Sequence, residues 1–290
     1  MANKKIKYIP IDFIKAEVLG LKPSHFFNNS LLDNPKSIFD GELLIKTIFK
    51  YKNLTIKIFE SNRIEFSGSL HTFYNDGLHN YNDFNFRAFK VALNNLYLDL
   101  GITPENLYLI HLEWGFNLRP PIKTNCILDN MIQHKSVNKT AGIDCKIEGK
   151  YIQFKHSTKI LKIYNKAMHF GLDYELLRIE MKQTNWSFYR LKGIITLQNF
   201  INADKKLFLD ELIHQWMRVI LYDINHKKSQ EYIKYQTQSY WTELRMIRSN
   251  KNFKYHFDKL SRLNKKIGYD TKNKITELII RKGNELQLNI

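Results

Sequence analysis

Two rhythms of apolar and polar residues alternate along the chain. Over residues 43–75 the period is two: LLIKTIFKYKN, LTIKIFE and RIEFSGSLHTFYN read as strands, with Ile56 and Ile58 set against Lys57. Glu60-Ser61-Asn62-Arg63 fits a hairpin turn between the last two. Gly68, inside a strand, marks a bulge or a close backbone approach. Over residues 83–100 the period changes to that of a helix, with Phe89, Leu93, Leu96 and Leu100 on one face and Gly101 as the stop. A turn at Thr103-Pro104-Glu105 leads into LYLIHLEWGFNL, residues 107–118, a strand apolar enough to be buried. Pro120-Pro121 closes it, and residues 124–141 predict a short helix and a polar loop.

Residues 150–182, KYIQFKHSTKILKIYNKAMHFGLDYELLRIEMK, read as strand, tight connection, strand, short helical excursion and strand. The rest of the chain is organised around this stretch, and any chemistry is expected here, helped by the 107–118 strand. After Gly193 the rhythm is helical. Leu209, Leu212, Ile213, Trp216 and Ile220 form one stripe over 204–222, and further helices are predicted over 240–266 and 272–286. Strand signals stop near residue 200. The order predicts an α+β fold, a mainly antiparallel central sheet with flanking helices followed by a helical C-terminal region. Three parts are expected: an irregular lead-in over 1–40, broken by Pro10, Pro23 and Pro35 and holding one short helix; an α+β region over 41–200; and a basic helical region over 201–290.

Composition narrows the partners. With 290 residues, 43% of them hydrophobic, the chain can build a real core, and its charges are not gathered into the long blocks typical of disorder. A formal net charge of +17 calls for an anionic partner, either nucleic-acid phosphates or an anionic membrane surface, although a lysine-rich coding bias accounts for part of it. No apolar run of 18 residues exists, so no membrane-spanning helix is expected, and the first residues have no apolar core of the signal-peptide kind. Cys126 and Cys145 form no CxxC, which argues against a thiolate zinc ribbon and for reduced thiols in a cytosol. There is no GxxxxGK[ST] and no glycine-rich phosphate loop, so nucleotide-driven chemistry is not expected; nor is there a His-hydrophobic-His pair.

Side chains two apart on a strand share a face. His111 and Glu113 therefore point the same way, as a buried hydrogen-bonded pair or as two ligands of a divalent cation. Arg178 and Glu180 share a face with Lys182, against Leu177, Ile179 and Met181, as a local ion pair on a solvated face or with Glu180 as a metal-binding acid that meets Glu113 across the sheet. Lys162, Tyr164 and Lys166 share one face, and Tyr151, Gln153 and Lys155 another. A tyrosine beside lysines and a divalent metal is a credible nucleophile once positive charge offsets its high pKa. Arg245, Arg248, Lys251 and Lys254 step every three residues through the 240–266 region, interleaved with aromatic residues, which suits either phosphate contact or an ordinary solvated helix face.

The order of these stretches resembles the rolling-circle replication initiators of filamentous phages and the related Rep_trans plasmid initiators. The residues that carry it are Ile163-Tyr164-Asn165-Lys166, Arg178-Ile179-Glu180, SGSLHTFYN and LEWGFN, over roughly residues 64–200. The resemblance implies a site-specific DNA nickase whose tyrosine attacks an origin phosphodiester, forms a 5′-phosphotyrosyl link and frees a 3′-OH. Tyr151 matches the family's nucleophile position and Tyr164 is second, with Lys166 in the same motif. Glu113 and Glu180 match metal-binding acids, with His111 beside them, for Mg²⁺ or Mn²⁺. Phe154-Lys155-His156-Ser157 replaces the family's GS-type turn and leaves His156 as a phosphate or metal contact. Lys155, Lys162, Arg178, Arg245, Arg248, Lys251 and Lys254 are the DNA-binding candidates. The implied partners are single- and double-stranded origin DNA, a host helicase and a second copy of the chain, in a bacterial host cytosol. A non-enzymatic DNA-binding regulator uses the same basic surface without the chemistry.

Overall fold

The computed structural model describes residues 6–32, 35–141, 151–223, 230–246, 250–266 and 270–287. Its first elements are β1 (Ile11–Val18), α1 (Pro23–Phe27), β2 (Lys36–Asp40), β3 (Leu43–Tyr51), β4 (Leu54–Phe59), β5 (Ile64–Ser69), α2 (Leu70–Tyr74) and α3 (Phe86–Leu100). The middle of the chain holds β6 (Leu107–Leu118), α4 (Thr124–Asp129), β7 (Met131–His134), β8 (Val137–Asn138), β9 (Thr140–Ala141), β10 (Tyr151–Lys155), β11 (Lys159–Asn165), α5 (Lys166–Phe170) and β12 (Leu177–Gln183). Then come α6 (Ser187–Arg190), α7 (Leu197–Asn202), α8 (Lys206–Met217), β13 (Val219–Leu221), α9 (Gln230–Ile233), α10 (Gln238–Met246), α11 (Asn250–Lys266) and α12 (Thr271–Glu285). The fold is α+β, with antiparallel strand pairing, flanking helices and a helical C-terminal region. Two compact units form, neither from one continuous run: residues 1–115, 182–207 and 283–290 make the first, and 116–181 with 208–282 the second.

In the first unit the strands lie in the order β2-β3-β4-β5-β1-β6 and neighbouring strands pair antiparallel. The expected turn joins β4 to β5: Ile58 pairs with Ile64, and Asn62 takes a positive φ of 60° that an asparagine tolerates. Gly68 is a close-approach position, because a Cβ there would lie 2.6 Å from Leu54 Cδ2 and 3.1 Å from the Asn53 carbonyl oxygen. α3 begins where Asn85 accepts a hydrogen bond from the Ala88 N–H and ends at Gly101 in the left-handed region, so its boundaries are set by local capping chemistry. Its buried Phe89, Ala92, Leu96 and Leu100 form an apolar face.

The first forty residues correct the expectation of an irregular lead-in. β1 is an interior strand between β5 and β6, with Ile11, Ile14, Ala16 and Val18 buried. Pro10 and Pro23 flank it rather than interrupt it. Register shifts between Ile11 and Ile14 and between Lys15 and Ala16 interrupt the pairing with β6, while buried and half-buried residues alternate from Asp12 to Val18.

The second unit contains the order β12-β11-β10-β9 and a small antiparallel sheet β13-β7-β8. Ile132, Ile220, Tyr232, Tyr235, Trp241, Leu244 and Leu260 are one buried cluster. Three expectations change here. Residues 131–141 are not only a polar loop but hold β7, β8 and β9; strands do not stop near 200, because β13 follows α8; and 240–266 is two helices, α10 and α11. Cys126 is a free thiol, whereas Cys145 and Lys150 lie outside the described residues. Among the described residues no helix is long and apolar enough to cross a membrane.

Candidate active site

The two candidate tyrosines are direct partners. β10 and β11 pair antiparallel with Tyr151 opposite Tyr164 and Gln153 opposite Lys162, and the two tyrosine rings lie 5.5 Å apart at 43°. Tyr164 is buried and Tyr151 half-buried. The period of two in each strand puts Tyr151 and Gln153 on the face of Tyr164 and Lys162. Lys166, one residue beyond β11, is fully buried, with its Nζ 5.9 Å from the Tyr164 ring and 5.8 Å from the Phe170 ring. Asn165, between them, caps α5 by accepting from the Met168 N–H and donates to Asn125. The IYNK stretch thus ends a strand and starts a helix in one step.

On β12, Arg178 and Glu180 are both buried, so their face is not a solvated one. Arg178 Nε donates to Glu180 Oε2 at 3.0 Å, Lys162 Nζ lies 2.9 Å from Glu180 Oε1, and Arg178 also donates to Asn117. Each oxygen of Glu180 therefore has a cation, the satisfied arrangement that a buried carboxylate needs. The Lys162 contact also puts Glu180 on the face of the two tyrosines. Lys155, at the end of β10, is exposed.

In the first unit His111 Nε2 is 3.8 Å from Glu113 Oε1, as the shared face predicts, and Lys182 Nζ is 3.0 Å from the same oxygen. The His111 ring stacks on Phe13 at 5.3 Å. Among the described residues no group of three or more His, Cys, Asp or Glu side chains is gathered as a metal site would gather them. A Mg²⁺ or Mn²⁺ on His111 and Glu113 would need its remaining ligands from phosphate and water and would displace Lys182 from Glu113. Glu180 fits less well, because binding would cost it Lys162 or Arg178.

The basic residues of the C-terminal region do not form one helical stripe. Arg245 lies on α10, Lys251 and Lys254 on α11, and Arg248 outside the described residues. Lys251 and Lys254 are exposed, Lys254 pairing with Asp258 at 2.7 Å, while the Arg245 guanidinium sits 3.8 Å from the Phe253 ring centre. Burial, helped by Arg218, holds the Arg245 pKa below its ordinary value.

Sequence reasoning missed a histidine pair. His134 on β7 and His156 in the β10–β11 turn meet at 2.7 Å between Nδ1 and Nε2, and His134 Nε2 lies 3.0 Å from the Gln215 carbonyl oxygen. A carbonyl can only accept, so His134 carries its proton on Nε2, and His156 Nε2–H donates to the His134 Nδ1 lone pair. His134 is neutral in this arrangement. Burial, then the neighbouring His156 and Lys135, bring the His134 pKa down to about 3; burial, Lys135 and Lys159 lower that of His156. His156 thus has its Nε2 committed to a partner. Lys272 was also missed: desolvation takes its pKa down to about 7, with Nζ donating to the Met217 carbonyl and lying over the Phe257 ring. Its neighbours in sequence, Thr271 and Asn273, give no sign of this.

No family model matches the chain, and no curated protein matches it. Among solved structures, the chain is similar to a rolling circle replication initiator protein from Geobacillus stearothermophilus. The two are 10% identical, the match covers 86% of this chain and 95% of that one, and the TM-score is 0.43.

Proposed function

We propose that the chain initiates rolling-circle DNA replication by nicking one strand of an origin with a tyrosine. The observation that carries this reading is the Tyr151–Tyr164 pair on the face that Lys162 shares with Glu180. It adds to the sequence order of IYNK and Arg178-Ile179-Glu180. Tyr151 is the nucleophile, since it is the more exposed of the two. Its oxygen attacks the phosphorus while its proton leaves to water. The P–O3′ bond breaks, the 3′ oxygen takes up a proton, and the 5′ phosphate stays on the tyrosine. Reversal with a second 3′-OH rejoins the strand. Lys155 and Lys162 supply positive charge to the phosphates, and Arg178 and Lys162 fix Glu180. A bound Mg²⁺ or Mn²⁺ would supply further positive charge to the phosphate.

The test is incubation of the full chain with supercoiled DNA carrying the parent element's intergenic region, with Mg²⁺, with Mn²⁺ and with EDTA. Open-circular product with protein on a 5′ end is expected. Tight, salt-sensitive binding without a nick would favour the second reading, a DNA-binding regulator, which the exposed Lys251, Lys254, Arg262, Lys265 and Lys266 of α11 support.

A further inference from the structure

Away from the tyrosines, the second unit has a pocket of about 490 Å³ where the β7–β8 turn, the end of α8, α10 and α11 meet. That is within the size range of small-molecule sites, about 300–1,000 Å³. Lys135, Arg218 and Arg245 line it, over Met217, Phe253 and Phe257. Its acid, Asp258, is 2.7 Å from Lys254, so that pair cancels itself. Lys135, Arg218 and Arg245 have no ion pair with any described residue.

Three like charges thus line one pocket, the nearby acids Asp258 and Glu211 being paired to Lys254 and Lys159. After burial, Lys159 and Arg218 lower the pKa of Lys135 against an opposing pull from Glu211, and Arg218 lowers that of Arg245. Arg245 Nε is a buried donor with no acceptor. Lys135 stands in the turn with a positive φ of 57°, and its N–H donates to the Arg218 carbonyl, which ties the two cations' backbones together. Beside them the Phe253 and Phe257 rings, one helical turn apart, are within 18° of parallel with centres 6.4 Å apart. Converging cations next to parallel aromatic rings match a phosphate ester attached to a planar heterocycle.

We infer that this pocket takes one unstacked nucleotide of a single-stranded nucleic acid, its phosphate on Lys135 and Arg218 and its base against Phe253 and Phe257. This goes beyond the nicking reading, because it assigns a strand-holding site on other residues and needs no cleavage.

The test is fluorescence anisotropy of a labelled single-stranded DNA with the full chain, R218Q and F257L, repeated with an abasic strand and with free deoxynucleotide as competitor. Arg218 is exposed, so R218Q leaves the fold intact; F257L is checked by circular dichroism. R218Q should weaken binding about tenfold and lower the salt slope by about one. F257L should weaken binding of the normal strand about tenfold and leave the abasic strand unchanged. Wild-type affinity in R218Q, or equal binding of normal and abasic strands by the parent chain, overturns the assignment. Free deoxynucleotide bound more tightly than the strand would assign the pocket to nucleotides and overturn its strand-holding role. Y151F should keep this binding, so an absence of nicking by the parent chain with strand binding intact counts against the nicking reading alone.

Discussion

Tyr151 and Tyr164 face each other across an antiparallel pair, one half-buried and the other buried, with ring centres 5.5 Å apart. The pairing ranks two tyrosines that spacing alone left open. Y151F should abolish the covalent DNA adduct while origin binding stays near that of the parent chain, and Y164F should retain the adduct. Peptide mapping of the adduct checks both, and a normal adduct in Y151F would sink the assignment.

Glu180 is held at both oxygens, by Lys162 and by Arg178, which is 2% exposed. Removing the carboxylate leaves a buried guanidinium without its counterion, at a cost of about 3–5 kcal/mol. E180A should therefore unfold at lower denaturant concentration than K162M, because Lys162 is nearer the surface. Comparable midpoints in urea titrations would mean that the other partners of Arg178, Asn117 among them, satisfy it.

Acid should weaken the second unit. The His134 pKa is about 3 in the folded chain and about 6.5 when unfolded, so above pH 6.5 the group contributes nothing to the pH dependence. As pH falls from 6.5 towards 3 the unfolded chain gains a proton that the folded chain refuses, and stability drops by about 1.4 kcal/mol per pH unit at most. His156 and His214, lowered in the same direction, add to the slope. Denaturant midpoints measured from pH 7 to pH 4 should fall steeply, and less steeply in H134Q.

Gly68 has no room for a side chain. G68A would push a methyl against Leu54 Cδ2 and the backbone at Asn53 and Leu54, and should cost the first unit about 1–3 kcal/mol. A thermal melt within a degree of the parent would show that β4 gives way freely.

Where the pattern was regular the sequence was readable. β4, with buried Leu54, Ile56 and Ile58 alternating with partly exposed Thr55, Lys57 and Phe59, has the spacing of a half-buried strand, and α3 announces its end through Gly101, although it starts after Asn85 and not at Asp83. β1 was lost because Ile11 is out of phase with Ile14, Ala16 and Val18 and prolines stand on both sides, which leaves only a short run with the period of two. β13 was lost because Val219, Ile220 and Leu221 prolong the apolar run of α8, and Ile220 falls on that helix's stripe by spacing alone. At the site, the shared faces of His111 with Glu113 and of Arg178 with Glu180 followed from strand geometry. That Lys162 reaches Glu180, and that His134 meets His156 from 22 positions away, comes from strand order and turn placement, which local pattern does not encode.

The interleaving of the two units has a consequence for how the chain is made. The first unit includes residues beyond 282: the Phe86 N–H donates to the Leu286 carbonyl, and the Lys7 N–H to the Gln287 side chain. The second unit needs α8 to α12 to cover strands that are synthesised long before them. On a ribosome, the second unit cannot close until residue 282 has emerged, nor the first until the residues beyond it have. The β-strands with their many unpaired edges must wait for them, exposed to holdase chaperones, so yield in a host cell should respond to chaperone supply more than to codon speed in any one segment.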